Sequence, residues 1–363
     1  MNIAFFGSSL LSAYWNGAAT YYRGIIRALH GLGHRVTFYE PIAYDRQAHR
    51  DIDEPYWARV VVYEPGAEDA PSDALWRALE EARKADLVVK ASGVGIHDAL
   101  LESAVLELQT PSRLVAFWDV DAPATLDRVG ADPADPFRAL IPRYDLILTY
   151  GGGEPVVRAY EALGARLCVP IYNAVDPETH HPVPPDPRFA ADLAFLGNRL
   201  PDREARVEEF FLGAAIAAPG RIFLLAGNGW GDKRLPANVR YFGHLPTAEH
   251  NAFNCTPLAV LNIARESMAR YGFSPATRVF EAAGAGACLI TDDWEGLDQF
   301  LQPGRAVLVA RTGLEVARHL EALTPLAARA YGEAARASVL RSDTYAHRAA
   351  QFEFVLNARK GGL

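Results

Sequence analysis

The sequence predicts an α/β protein built as two Rossmann-like parallel-sheet domains facing across a cleft. Three observations point there. Short apolar runs alternate with amphipathic helical stretches along the chain, as a parallel sheet with crossover helices requires. The alternation halts at a proline-rich stretch near the middle and then restarts. The chain is 363 residues long, and single hydrophobic cores stop growing at roughly 250–300 residues, so two domains are the default.

In the first half the candidate strands are residues 2–6, 35–39, 87–90, 113–117, 146–149 and 166–169, with helices over 18–32, 72–84, 97–107 and 155–163. The strands read as nearly continuous apolar runs, the pattern of strands covered on both faces. Gly33 stands just past the first helix, where a C-cap glycine is expected. In the second half the strands fall at 193–196, 222–226, 240–242, 259–262, 287–291 and 306–310, and helices at 202–211, 247–254, 276–285, 295–301 and 314–323. Residues 172–187 hold five prolines, which suits a stiff linker better than an element interior. Domains are expected at 1–175 and 176–344, with a final helix in 345–363 packing back on the first domain.

Composition narrows the function. The chain is 50% hydrophobic and 22% charged with a net charge of −8, which excludes disorder and argues against sequence-independent nucleic-acid binding. Cys168, Cys255 and Cys288 are too scattered for a zinc or CxxC motif. The opening residues lack a basic n-region and read as a strand, and the longest apolar stretch, 210–218, is about half the ~20 residues a spanning helix needs. A cytoplasmic protein without a transmembrane segment is expected, peripheral membrane contact remaining open.

Ligands of open α/β sheets bind at the carboxyl ends of the strands, so the loops there hold the candidates. In the first domain these are Gly7, Ser8, Ser9 and Asn16, expected to meet an acceptor, together with His97, Asp119 and Asp121 as candidate bases. Gly93–Gly95 and Gly151–Gly153 are glycine turns without the spacing of a dinucleotide fingerprint. In the second domain Asn198, Arg199 and Arg203 follow the first strand, Asn228 the next and His244 the one after. Arginines there supply permanently charged donors for a diphosphate. Ser274-Pro275 reads as N-cap and N1 of a helix whose free amides, at Ala276 and Thr277, favour an anion. Arg278 and Glu281 share a face of that helix, either as a simple pair or with Glu281 on a ligand's hydroxyls. Arg265 lies just upstream.

The stretch Thr277-Arg278-Val279-Phe280-Glu281-Ala282-Ala283-Gly284-Ala285-Gly286, followed by Leu289-Ile290-Thr291-Asp292 and Trp294-Glu295-Gly296-Leu297, resembles the donor-binding domain of GT-B glycosyltransferases, and most of all their group 1, CgeB-like (spore maturation protein) type. Val175-Asp176-Pro177-Glu178 and Phe195-Leu196-Gly197-Asn198-Arg199 resemble the same family. The resemblance implies a GT-B fold, ribose held by Glu281, and diphosphate met by Arg199 and Arg203. It departs at Tyr271, which stands where related enzymes carry a second glutamate; Glu266 is an upstream substitute.

The function expected is transfer of a sugar from a nucleotide diphosphate sugar to a hydroxyl-bearing acceptor. No cofactor is expected, and no metal, because Asp119-Val120-Asp121 lies on the acceptor side although it matches a DxD pattern. An inverting reaction would use Asp119 or Asp121 as base. The rival readings are a nucleotide-sugar epimerase of the same shape and a catalytically lapsed nucleotide-sugar-binding protein.

Overall fold

The computed structural model describes residues 1–361, with side-chain surroundings through residue 359. The chain divides into two units: Met1–Tyr172 with Arg348–Leu363, and Asn173–His347.

The first unit carries strands β1 (Asn2–Phe6), β2 (Arg35–Pro41), β3 (Arg59–Tyr63), a small hairpin β4 (Gly66–Ala67) and β5 (Ala70–Pro71), then β6 (Leu87–Ala91), β7 (Leu114–Asp119), β8 (Leu146–Thr149) and β9 (Cys168–Pro170). Seven of them form one sheet in the order β3-β2-β1-β6-β7-β8-β9, every neighbouring pair parallel. Helices α1 (Ala19–Gly31), α2 (Asp73–Ala82), α3 (Asp98–Ala104), α4 (Ala122–Ala131), α5 (Pro136–Leu140) and α6 (Gly153–Ala162) supply the crossovers. In α2 the buried residues Leu75, Ala78, Leu79 and Ala82 follow one helical stripe, and Ser72 caps the start by accepting from the Ala74 and Leu75 amides.

The second unit repeats the plan. Strands β10 (Leu193–Leu196), β11 (Phe223–Ala226), β12 (Val239–Tyr241), β13 (Ala259–Asn262), β14 (Leu289–Asp292) and β15 (Leu308–Ala310) stand in the order β12-β11-β10-β13-β14-β15. All pairs are parallel. Its helices are α7 (Pro201–Val207), α8 (Gly213–Ala217), α9 (His250–Cys255), α10 (Glu266–Tyr271), α11 (Thr277–Gly284), α12 (Gly313–Ala322) and α13 (Pro325–Ser342). Phe195, Phe211, Phe223 and Trp230 centre its core. Each sheet reverses strand order once, between β1 and β6 and between β10 and β13, and those reversals open the crevices where such sheets take ligands.

The last helix, α14 (Tyr345–Gly361), straddles the division. From Arg348 on it belongs to the first unit, where Phe352 stacks on Trp118 with ring centroids 5.3 Å apart. Trp118 donates to Tyr21 and Tyr21 to the Ile171 carbonyl, both at 2.8 Å. Glu353 reaches His34 at 3.0 Å. Residues 362 and 363 of the expected terminal segment lie outside the described residues. Among the described residues no helix is long and apolar enough to cross a membrane.

The elements depart from expectation in several places, the β4–β5 hairpin and helices α4, α5 and α10 among them. Strand β3 was not expected; it is a half-exposed edge, so its apolar run is covered only in part. Helix α13 was not expected either, because alanine and arginine spread around it leave no broad apolar stripe. The helix expected at 202–211 runs through a π turn at Glu208–Leu212 into α8. Of the helix expected at 295–301, only a 3₁₀ turn at Leu297–Gln299 forms.

Helix α13 lies against the backbone at Gly286 and Ala287, so a Cβ on Gly332 would overlap the Gly286 carbonyl. Gly332→Ala should cost about 3 kcal/mol, the upper end for overpacking. Gly31→Ala, in α1 with nothing within 4 Å of the new carbon, should add about 0.5–1 kcal/mol. Urea unfolding of both variants checks the contrast.

Candidate functional site

At the carboxyl edge of the second sheet, the loops after β10, β11 and β12 are tied together through backbone. Gly227 donates to the Gly243 carbonyl at 2.7 Å, and Arg199 to the Asn228 carbonyl at 2.9 Å. The Asn198 side chain accepts from the Asn228 amide, and the Trp230 indole donates to the Gly197 carbonyl, both at 2.8 Å. Gly227 has φ +118°, and a side chain there would collide with Gly197. Glycine is required so that the two loops can touch. Asn198 and Asn228 thus shape the floor, while His244 follows Gly243 on its third side.

Four arginines were expected here, and they separate into two kinds. Arg199 is bound to Glu204 at 2.7 Å and Asp232 at 2.9 Å, contacts that hold its pKa above the ordinary value. Arg265 is bound to Asp202 at 2.7 Å. Arg199 thus rests on two carboxylates, one of which, Glu204, it shares with Lys233 at 2.7 Å. Arg278 and Arg203 instead converge on Gly197, where a Cβ would stand 2.8 Å from Arg278 Nη2 and 3.2 Å from Arg203 Nη1. Arg278 is buried, donating to the Leu196 carbonyl through Nε and to Asn262 Oδ1 at 3.1 Å through Nη1. Its guanidinium lies over the Phe195 ring at 4.8 Å. Burial first, then the like charge of Arg203, pulls its pKa down to about 9.

Glu281, 6% exposed, lies on α11 one turn beyond Arg278. Its carboxylate faces His180 at 4.0 Å and His250 at 3.9 Å. The two imidazoles are stacked, with centroids 6.4 Å apart. The simple Arg278–Glu281 pair is not what forms: Arg278 turns to the strand ends, Glu281 to the histidines. His180 and His250 were not expected at the site. His180 sits in the segment read as linker and His250 opens a helix in an unremarkable polar stretch, so only the fold brings them to Glu281.

The start of α11 also needs correction. The helix begins at Thr277, with Ala276 as N-cap. Ser274 is not the cap: its hydroxyl donates to the Gly272 carbonyl at 2.8 Å, and the Pro275 carbonyl accepts from Asn173 at 2.9 Å. Phe273, at φ +45°, is fixed by its amide on the Glu295 carbonyl at 2.6 Å. The amides exposed by the helix start are therefore those of Thr277 and Arg278, because Val279 already bonds back to Ala276. Glu266 is paired with Arg206 at 3.0 Å.

In the first unit the expected residues prove largely structural. Ser8 donates to Asn16, Asn16 donates to the Ser9 and Ser12 carbonyls, and Ser9 donates to Glu40. All five residues are buried. They hold the loop after β1 in shape, correcting their assignment as open acceptor contacts, while Gly7 is glycine because a Cβ would overlap Phe38. Asp119, 1% exposed, accepts from the Asp121 amide at 2.9 Å, Thr125 at 3.1 Å and Tyr160 at 2.5 Å. It tethers α4 and α6 to the strand end, a position unlike that of an open base. Asp121 is the half-buried N-cap of α4. His97 caps α3 in the left-handed region at φ +55° and is spoken for by the Pro65 carbonyl at 3.0 Å.

Residues 203–353 match the sequence profile of a family described as glycosyl transferase-like. No curated protein matches the sequence. Among solved structures, the chain is similar to sucrose-phosphate synthase from Thermosynechococcus elongatus, at TM-score 0.72 and 15% identity over 100% of both chains. It is similar to Anabaena HepE in complex with UDP and glucose, at TM-score 0.68 and 14% identity over 98% of this chain and 99% of that one. AviGT4, a glycosyltransferase involved in avilamycin A biosynthesis, aligns at TM-score 0.63 and 18% identity over 100% and 99%. The fold is GT-B, two Rossmann-like parallel-sheet units in one chain.

One buried ion pair supports the site from behind. Asp292, fully buried at the end of β14, accepts from Arg206 at 2.7 Å and the Ala264 amide at 3.0 Å. Burial outweighs these contacts and raises its pKa above 3.8. A carboxyl raised by folding favours the native state below its unfolded-state pKa, and that contribution is lost as pH rises through the folded value. Arg206→Met enlarges the loss. Unfolding at pH 7 should show a penalty of about 2–3 kcal/mol, below the range for a fully buried pair because Arg206 is partly exposed, and the penalty should shrink toward pH 4.

Proposed function

We propose that the protein is a metal-independent glycosyltransferase of the cytoplasm, of the CgeB-like group, that moves a sugar from a nucleoside diphosphate sugar to a hydroxyl acceptor. One observation carries this reading: two guanidiniums, Arg203 and Arg278, converge on Gly197 at the strand-order reversal of the second sheet. Two like charges partly removed from water repel each other, and a dianionic diphosphate relieves that cost. In this reading the Thr277 and Arg278 amides add neutral donors for the same phosphates, and transfer needs no metal because these groups meet the charge that develops on the leaving diphosphate. Glu281 takes the ribose hydroxyls, its orientation maintained by His180 and His250. The first unit receives the acceptor.

A uridine nucleotide is the first donor to test, because the HepE structure holds UDP. The test incubates the protein with UDP-, GDP- and dTDP-sugars and follows nucleotide release and product formation. Folded protein that binds none of them overturns the proposal; tight donor binding without turnover over broad acceptor mixtures makes it a binding protein instead. Glu281→Gln should weaken nucleotide binding about 10–100-fold, the worth of one charge-assisted hydrogen bond, by isothermal titration. Unchanged affinity would remove Glu281 from the site.

A further inference from the structure

The first unit contains a cation that forms no ion pair with any described residue. Arg46 follows β2 in the short 3₁₀ turn Arg46–His49 and is 6% exposed. Among the described residues its only hydrogen bonds run from Nη1 to the Ser8 and Val94 carbonyls, and both are long, at 3.3 and 3.4 Å. Its Nε is sealed from solvent without a partner. Among the described residues no carboxylate comes within 4.0 Å of the guanidinium.

The nearby acids are committed elsewhere. Glu40 accepts from the Leu10 amide at 2.6 Å, from Ser9 at 3.2 Å and from Gln47 at 2.5 Å. Asp98 is bound to the fully buried Lys90 at 2.6 Å and to the Val94 and Gly95 amides. Tyr22 and Tyr44 are the other titratable groups whose fields reach Arg46. Burial accordingly pulls its pKa below the ordinary arginine value.

The surroundings are built around this side chain. The Tyr44 ring lies 5.0 Å from the guanidinium carbon, and its hydroxyl reaches the Gly95 carbonyl at 3.0 Å. Tyr44, at φ +55°, Asp45, at φ +57°, and His97, at φ +55°, all hold backbone conformations that side chains disfavour. Such outliers gather where a ligand needs a fixed shape. The hydroxyl of Tyr63, ending the neighbouring β3, is also buried without a partner. An enclosed guanidinium without a counterion costs the fold several kcal/mol on general grounds, so a ligand anion is its natural complement.

We propose that Arg46 is the centre of an oxyanion site in the first unit, which selects an acceptor sugar bearing a phosphate or carboxylate group. That the anion's carrier is the acceptor rests on the function proposed above; the anion site itself does not.

The test measures binding of inorganic phosphate, glucose 6-phosphate, glucuronate and glucose to wild-type protein and to Arg46→Met by isothermal titration, with UDP as control. Wild type should bind at least one anion and not glucose. Arg46→Met should weaken that anion more than tenfold and leave UDP unchanged. The pattern among phosphate, sugar phosphate and glucuronate identifies the group recognised. No anion binding, or binding indifferent to Arg46→Met, overturns the proposal. If Arg46→Met loses its fold by circular dichroism, wild-type crystals soaked in selenate decide: an anomalous peak beside Arg46 supports the site and its absence overturns it. Failure of wild type to bind any nucleotide would count against the function alone, leaving the anion result to stand or fall separately.

Discussion

The second unit is organised by one costly placement, an arginine buried where a parallel sheet reverses its strand order. Strands β10 and β13 leave carbonyls and an asparagine side chain at that point, and Arg278 uses them as its anchors. Phe195 provides a π face beneath the guanidinium. The glycines of the adjoining loops then allow backbone to close in without blocking the remaining nitrogen. Packing and charge are coupled here: the same aromatic core that stabilises the sheet holds the cation in a medium where its field is strong.

That placement explains the division of labour among the arginines of the site. Arg199, Arg206 and Arg265 each bind carboxylates and brace one element against another. They stiffen the frame and contribute little uncompensated charge. Arg278 is instead satisfied by neutral oxygens, which leaves its formal charge available. A sheet edge of this kind separates rigid support from electrostatic potential, although both are made of the same residue type.

The sheets were legible in the sequence because buried parallel strands write themselves as uninterrupted apolar runs; residues 2–6, 146–149, 193–196 and 259–262 were found to the residue. Helix α13 was illegible because its contact face consists of Ala328, Gly332, Ala335 and Val339, whose packing depends on closeness and not on hydrophobic contrast. Glu281 was legible as an acid stranded among small apolar residues. Its histidine neighbours were not, since they lie 101 and 31 positions away in the chain. Ser274 misled because a serine before proline is a common helix start, yet here the hydroxyl closes a turn on Gly272. Likewise, Asp119 read as a candidate base at a strand end; Thr125 and Tyr160, which engage it, come from two later helices.

The closing helix has a bearing on biogenesis. Phe352 completes the packing over Trp118, a residue 234 positions earlier, and everything from Asn173 to His347 is threaded between them. On a ribosome the first sheet is therefore translated early but has one aromatic flank bare throughout synthesis of the second. Its final layer is supplied by a segment translated only after the whole of Asn173–His347. Of the two units, the one begun first is completed second.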